Sequence, residues 1–122
     1  MRVIKPQVTI DDLAKLDLRV GEVIDVKDIT DSQKLLELKV NFGEELGIKT
    51  IFSGIKKWYT AASLVNKKFL FIVNLEPKKF PFGESQGMIL AVDTDKKPFG
   101  TAQGKPILLN VKKNVTNGST IS

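Results

Sequence analysis

Alternating apolar and polar residues predict two strands in the first third of the chain. Strict alternation is typical of a strand with one buried face, and it runs over Leu16–Asp28 and again over Leu35–Phe42. Gly21 and Glu22 interrupt the first stretch, which predicts a bulge or a sharp bend. We expect the two strands to pair antiparallel. Their apolar positions are Leu16, Leu18, Val20, Ile24 and Val26 in the first, and Leu36, Leu38, Val40 and Phe42 in the second.

Two short helices and three further strands complete the predicted fold. Thr9 and Thr60 are suitable helix N-caps because their hydroxyls can accept backbone N–H groups of the first turn. Five strands with a helix between the third and fourth follow the order of an OB-fold. We therefore predict an all-β protein, a five-stranded OB-fold barrel with short helices and a C-terminal extension. The predicted helices are about Ile10–Lys15 and Ala61–Val65, and the remaining strands are Ile48–Ile55, Lys68–Val73 and Met88–Val92.

The 122 residues of the chain are expected to form one domain. The barrel is predicted over about residues 9–93 and the extension over about 94–122. Within the extension, Asp93–Lys105 is a Lys-, Gly- and Pro-containing loop, Pro106–Val111 predicts a short strand, and Thr116–Gly118 predicts a turn. We expect this extension to pack against the barrel or against a second copy of the chain.

The composition limits the available chemistry. The chain has no Cys and no His, which removes disulfides, thiolate metal sites and the commonest general base. We predict no catalytic residue, no metal and no cofactor. The N-terminus lacks a signal-peptide pattern and no stretch is long enough to cross a bilayer, so we expect a cytoplasmic protein with no membrane partner.

The net charge of +5 favours a polyanionic partner. Many of the lysines occur in pairs, and most pairs fall in loops or at predicted strand ends. They could therefore collect at one rim of the sheet. The five pairs are Lys56–Lys57, Lys67–Lys68, Lys78–Lys79, Lys96–Lys97 and Lys112–Lys113.

The stretch Val73–Asp93 is the predicted binding segment, because it joins two apolar runs through a polar loop. It combines lysines for phosphates, aromatic rings for unpaired bases and short hydrogen-bonding side chains. Phe80 and Phe82 could stack on bases or pack at the barrel mouth or a dimer seam, whereas Trp58 and Tyr59 are expected to cover the barrel bottom. This inventory indicates a looped or single-stranded nucleic acid.

Six motifs follow one another in an order shared with a known family. They are DLRVGEV (Asp17–Val23), KLLELKVNFGEE (Lys34–Glu45), SGIKKWY (Ser53–Tyr59), LVNKK (Leu64–Lys68), NLEPKK (Asn74–Lys79) and ESQGMILA (Glu84–Ala91). Together they resemble the tRNA-binding domain found as the C-terminal or beta-subunit domain of methionyl-tRNA synthetase and as free-standing structure-specific tRNA-binding proteins. The turn Thr30–Gln33 departs from the Pro-Asn-Ala-Asp type turn of that family, so its contribution to binding is in doubt.

The resemblance implies an OB barrel that dimerises partly through its C-terminal extension and binds the outside corner of tRNA by shape. It also implies a non-catalytic role in holding tRNA for a methionyl-tRNA synthetase, in trans or as a beta subunit. The resemblance assigns Lys34, Ser53, Asn74, Lys78, Ser85, Gln86 and Met88 to RNA contact, and the charge and ring arguments add Lys56, Lys57, Lys79 and Phe82.

Two alternative functions come from other classes. The segment FGEELGIK (Phe42–Lys49) also resembles CsaA-type export chaperones, which lack the SQGMILA pattern. A chaperone would bind peptides in an apolar groove at the dimer interface. A pure dimerisation module of a synthetase is the other alternative. An enzyme is the weakest interpretation, because His and Cys are missing and no acidic pair has a nucleophile elbow or metal-ligand spacing beside it.

Overall fold

The chain folds into a small curled sheet with two short helices. The computed structural model describes residues 3–94 and 104–122. The helices are α1 (Ile10–Ala14) and α2 (Ala61–Leu64). The strands are β1 (Leu18–Asp28), β2 (Leu36–Asn41), β3 (Ile48–Ser53), β4 (Lys68–Ile72), β5 (Lys78–Phe80), β6 (Gly83–Ser85), β7 (Met88–Ile89), β8 (Ala91–Val92), β9 (Ile107–Leu108) and β10 (Asn110–Val111).

Strand β1 organises the barrel because it pairs with two neighbours. The main sheet has the order β10-β4-β1-β2-β3, and β7 also pairs with β4. Glu22 lies opposite Asn41 of β2 and opposite Lys68 of β4, so both pairings overlap at this residue. The antiparallel pairing of β1 with β2 was predicted from the alternation and is confirmed. The five predicted strands correspond to β1, β2, β3, β4 and the consecutive strands β7 and β8, which confirms the predicted all-β OB-fold barrel with short helices.

The irregularity of β1 lies slightly beyond its predicted position. The pairing register with β2 shifts between Val23 and Asp25. A one-residue shift turns the following side chains to the other face of the sheet. Val23 lies opposite Val40 and is fully buried, whereas Ile24 is the residue without a partner in β2 and is 38% exposed. The prediction that Ile24 shares the apolar face of Val20 and Val26 is wrong, because the unpaired residue of the bulge lies outside the core.

Gly21 is required by the packing of the barrel interior. A Cβ at this position would lie 2.5 Å from Val40 Cγ1 and 2.6 Å from Phe42 Cε1. The Phe42 ring meets the Phe71 ring edge-on, with 5.2 Å between centroids and 87° between planes. The backbone of β1 therefore leaves space for an aromatic pair at the centre of the core. The buried cluster comprises Val23, Leu36, Leu38, Val40, Phe42, Ile51, Ile55, Leu64, Phe69, Phe71, Ile89 and Leu108.

The predicted fifth strand is divided in two. Its first part, β7, pairs with β4, whereas its second part, β8, pairs with β9. The predicted strand Pro106–Val111 is likewise divided, because β9 pairs with β8 and β10 pairs with β4. Each division marks the residue at which the chain changes its hydrogen-bonding neighbour. The loop predicted between Val73 and Met88 contains a further element, the β5–β6 hairpin.

The described part of the extension packs against the barrel. Residues 118–121 run beside β1, where Gly118 N–H donates to Val20 O at 2.7 Å and Ile121 N–H donates to Leu18 O at 2.9 Å. Gly118 has a φ of +88°, and a Cβ there would lie 2.2 Å from the Phe42 carbonyl oxygen. Tyr59 donates its hydroxyl to Pro106 O at 2.7 Å, which ties the barrel to the extension. The predicted Lys96–Lys97 pair and most of the predicted loop Asp93–Lys105 lie outside the described residues.

The N-terminal helix has a complete capping box and no buried side chain. Asp12 N–H donates to Thr9 Oγ1 and Thr9 N–H donates to Asp12 Oδ2, both at 3.2 Å. The Thr9 backbone N–H, with further help from the Lys15 ammonium, lowers the pKa of the Asp12 carboxyl below its usual 3.8. The α1 residues contribute nothing to the core, because none of them is buried. Neither helix has the length and hydropathy needed to span a membrane, among residues 3–94 and 104–122.

Candidate nucleic-acid interface

A groove of about 810 Å³ opens between the end of β3, the β5–β6 hairpin and the start of β7. We call it the hairpin groove. Most of its lining is apolar, with a lysine and a glutamate among the lining residues. Its lining residues are Leu35, Phe52, Ser53, Gly54, Leu75, Glu76, Lys78, Phe80, Ser85, Gly87, Met88 and Ile89.

The β5–β6 hairpin forms one wall of the groove and separates the two predicted lysines. Phe80 packs on Phe52, with 5.4 Å between ring centroids. The Lys78 ammonium lies 5.1 Å from the Phe80 ring centroid. Alternation along β5 places Lys78 and Phe80 on one face and Lys79 on the other, and Lys79 lies opposite Glu84. Lys78 therefore faces the groove, whereas Lys79 is an exposed lysine on the outer side of the hairpin.

Ser85 and Gln86 close the barrel beside β3. Ser85 Oγ accepts from Phe52 N–H at 3.0 Å and donates to Gly87 O at 3.0 Å. Gln86 Oε1 accepts from Thr50 N–H at 2.9 Å, while Gln86 N–H donates to Thr50 O at 2.8 Å. These side chains replace the missing strand partners of β3, where an unpaired N–H would be costly. The Ser85 hydroxyl and the Gln86 amide oxygen thus join residues 85–86 to the edge of β3. We call this junction the barrel seam.

Two other predicted site residues also make internal contacts. Asn74 Oδ1 accepts from Asp17 N–H at 2.8 Å, and its Nδ2 donates to Lys15 O at 2.7 Å. The Lys56 ammonium donates to Ile29 O at 2.9 Å and to Ser32 O at 2.8 Å. Asn74 therefore fixes the chain that enters β1, and Lys56 fixes the turn before β2.

The remaining predicted residues are available at the surface. Lys56 N–H donates to Lys34 O at 3.1 Å, which brings exposed Lys34 beside the loop after β3. The Lys57 ammonium lies 5.7 Å from the Trp58 ring centroid. Phe82 is half-buried at the hairpin turn. Ser53 and Met88 line the hairpin groove, and Met88 is 46% exposed.

The structure therefore divides the predicted site. Ser53, Lys78 and Met88 come together in the groove, with Lys34 next to its Leu35 rim. Sequence reasoning missed the apolar lining residues Leu35, Leu75 and Phe52, of which Leu75 is 40% exposed. An apolar residue inside the polar NLEPKK motif was the available signal for Leu75. For Phe80, the structure shows packing on Phe52, and for Tyr59 it confirms the predicted position against the barrel.

Comparison with known proteins finds relatives over most of the chain. A family model described as "Putative tRNA binding domain" matches residues 18–120. The methionine–tRNA ligase of Pyrococcus horikoshii is 43% identical over 105 residues, which cover 86% of this chain and 14% of the ligase. The Clostridium acetobutylicum ligase is 39% identical over 121 residues, covering 99% of this chain and 18% of the ligase. The chain thus spans less than a fifth of the length of these relatives.

Solved structures with similar folds cover almost the whole chain. A MetRS-related protein from Pyrococcus horikoshii superposes with a TM-score of 0.85 and 34% identity, covering 97% of this chain and 100% of that one. The chaperone CsaA from Bacillus anthracis superposes with a TM-score of 0.80 and 26% identity, covering 96% of this chain and 100% of that one. The family match over residues 18–120 and the identity to the MetRS-related protein lead to one conclusion: the chain belongs to the tRNA-binding domain family.

Proposed function

We propose that this tRNA-binding domain is non-catalytic and binds tRNA with the hairpin groove and the lysines beside it. The observation that supports this most directly is the position of Lys78, whose ammonium lies at an apolar groove of about 810 Å³. A lysine can contact a phosphate without regard to sequence, while an apolar slot can accept the face of an unpaired base. Glu76 also lines the groove, and its carboxylate can accept from a base amino group.

The two hairpin lysines provide an internal control for this proposal. Lys78 faces the groove and Lys79 lies on the other side of β5, opposite Glu84. We expect Lys78→Ala to reduce the slope of log K against log salt by about 1, since one phosphate contact is lost. Lys79→Ala should have a smaller effect, and the double variant Lys78→Ala/Lys79→Ala should bind tRNA more weakly with a flatter salt dependence.

The measurement is a titration of labelled tRNA at several salt concentrations. The variant Lys5→Gln/Lys27→Gln is a suitable control, because both residues are exposed and neither lines the groove. It removes net charge without changing the hairpin. A double hairpin variant whose salt slope equals that of the control would remove these lysines from the interface.

We further propose that residues 1–122 act as one domain that holds tRNA for a methionyl-tRNA synthetase, in trans or as a beta subunit, in the cytoplasm. Support for one domain comes from the pairing of β10 with β4 and of residues 118–121 with β1. Support for the synthetase partner comes from the relatives, which are methionine–tRNA ligases. The role as a dimerisation module of a synthetase remains compatible with the same partner and differs in having no RNA affinity.

The protein is also proposed to form a homodimer through its N-terminal segment. Val8 and Ile10 are 73% and 77% exposed, and Leu13 is 48% exposed. A helix of five residues with no buried side chain gains little stability from its own chain. A second copy covering these apolar residues would supply the missing packing.

A chaperone of the CsaA type is the second candidate function. Two observations favour it: the CsaA structure superposes over 96% of this chain, and the hairpin groove is lined mainly by apolar side chains. Peptide binding driven by apolar burial persists at high salt, whereas phosphate contacts weaken. The salt dependence of binding therefore separates the two functions.

A further inference from the structure

A second basic surface lies where β10 joins the barrel. A cleft of about 380 Å³ is lined by Val65, Asn66, Lys67, Lys68, Asn110, Val111, Lys112 and Lys113. We call it the lysine cleft. Half of its lining residues are lysines and none is a carboxylate. Two lysine pairs that are far apart in sequence thus meet, because β10 pairs with the start of β4.

The Lys68 ammonium of the lysine cleft is hydrogen-bonded within the protein. The Lys68 ammonium donates to the Val115 carbonyl oxygen, and Glu22 lies opposite Lys68 on β1. The Glu22 carboxylate in turn accepts from Asn117 Nδ2 at 3.1 Å. Lys67, Lys112 and Lys113 are exposed at the mouth of the cleft. Like charges this close repel one another, and a bound polyanion would relieve that repulsion.

The polar groups of the cleft suit a sugar–phosphate backbone. Asn66 and Asn110 are both exposed beside the lysines. An asparagine amide offers two donors and one acceptor, which can bond a phosphate oxygen or a ribose 2′-hydroxyl. Lysines supply mobile point charges that follow a phosphate chain without reading its sequence. The cleft contains no aromatic side chain that could stack on a base.

The lysine cleft and the hairpin groove lie towards opposite ends of β4, because β10 pairs with Lys68 and Phe69 and β7 pairs with Phe71 and Ile72. Phe69 and Phe71 point into the core, so Lys68 and Ile72 point outward at the two ends of the strand. Met88 of the groove lies opposite Ile72 and shares its face. Four residue steps separate Lys68 from Ile72, a distance of about 13 Å along the strand. A folded RNA is wide enough to contact both sites at once.

We propose that the lysine cleft is a second contact for the RNA phosphate backbone, which binds a stretch of the same tRNA that occupies the hairpin groove. This inference rests on the proposed function of the groove. It assigns a binding role to Lys67, Lys112 and Lys113, none of which belongs to the binding segment predicted from the sequence. The cleft adds affinity and orients the tRNA, while the groove contacts its exposed bases.

The test compares tRNA binding by three double variants of the full chain. Lys112→Gln/Lys113→Gln removes two charges of the cleft, and Lys112→Arg/Lys113→Arg keeps them. Lys5→Gln/Lys27→Gln removes two charges elsewhere. We expect the first variant to lower the salt slope by about 2 relative to wild type, since about 1 is lost per phosphate contact. The arginine variant should keep the wild-type slope, and the Lys5/Lys27 variant should lower it by less than 1.

Combination with the hairpin variant separates this inference from the proposed function. Sites this far apart are expected to contribute additively, so Lys78→Gln added to Lys112→Gln/Lys113→Gln should lower the slope by about 1 more. If Lys78→Gln lowers the slope but the Lys112/Lys113 variant matches the Lys5/Lys27 control, the cleft inference is wrong and the groove proposal stands. Loss of slope in the arginine variant would also overturn it. If the wild-type protein does not bind tRNA, both proposals fail.

Discussion

The Ser85 hydroxyl provides a test that separates barrel closure from RNA contact. In Ser85→Ala, Phe52 N–H loses its acceptor, which lies 3.0 Å away in the native seam. Phe52 is only 6% exposed and Ser85 only 5% exposed, so water cannot readily replace the hydroxyl. A buried donor left without a partner costs about 1 to 3 kcal/mol. We therefore expect the free energy of unfolding to fall by that amount.

This cost converts into a measurable change in melting temperature. The entropy of unfolding is about 2.1 cal/mol/K per residue, so for 122 residues each kcal/mol corresponds to roughly 4 °C. Ser85→Ala should therefore melt about 4 to 12 °C below wild type. Circular dichroism during heating measures the melting temperature, and urea titration measures the free energy directly.

Ser53→Ala is the matched control, because Ser53 lies in the same groove but is only half-buried. Its hydroxyl has no hydrogen-bond partner among residues 3–94 and 104–122. This variant should change stability by less than about 0.5 kcal/mol. If the Ser53 hydroxyl contacts tRNA, Kd should rise about 2- to 13-fold, as expected for one neutral hydrogen bond.

The two serine variants should thus show opposite effects. The seam assignment predicts that Ser85→Ala lowers stability and leaves the tRNA Kd of the folded protein within about twofold of wild type, a change of roughly 0.4 kcal/mol. A Ser85→Ala protein that melts with wild type but binds tRNA weakly would refute the reasoning. That result would return Ser85 to the RNA-contact role that the resemblance implied.

Two further predictions concern the core and the assembly. Gly21→Ala should lower the free energy of unfolding by about 1 to 3 kcal/mol through overpacking, because the new Cβ would lie 2.5 Å from Val40 and 2.6 Å from Phe42. Urea denaturation measures this free energy, and an unchanged midpoint would contradict the prediction. Ile10→Asp/Leu13→Asp should halve the mass measured by light scattering from twice the 13.5 kDa chain mass to once that mass. Ala62→Asp is the control, because Ala62 is exposed on α2, and equal masses in all three proteins would refute the N-terminal dimer interface.

The sequence predicts a strand well where that strand keeps the same two neighbouring strands along its whole length. Leu36, Leu38 and Val40 alternate cleanly, and β2 is buried at each of these positions. In β1, both Val23 and Ile24 are apolar, so the sequence alone cannot show on which side of them the register shifts. The β1–β2 ladder continues on both sides of the shift, from Glu22 opposite Asn41 to Asp28 opposite Leu36, so the position of the extra residue is a property of the assembled sheet.

The site was predictable in part, for a related reason. Ser53 ends β3, and Lys78 and Met88 belong to β5 and β7; these three residues from separate motifs meet in the groove, while their contact with RNA remains a prediction. The seam roles of Ser85 and Gln86 depend on which β3 N–H groups lack a strand partner, and this emerges only when the barrel closes.

The grouping of the lysine pairs on the surface also could not be predicted from the sequence. They were expected to collect at one rim of the sheet. Lys67–Lys68 and Lys112–Lys113 do meet in the lysine cleft, whereas Lys78 lies in the hairpin groove at the other end of β4. The pairing of β10 with β4 decides this grouping, and no local pattern in the sequence encodes it.

The most direct test of the central claim is a competition titration with the purified protein. Labelled tRNA is displaced by unlabelled tRNA, single-stranded RNA, duplex DNA or an unfolded polypeptide, at several salt concentrations. A shape-reading tRNA binder should prefer tRNA to the other competitors, and its affinity should fall steeply as salt rises. Equal displacement by every polyanion, or polypeptide binding that persists at high salt without tRNA affinity, would contradict the account.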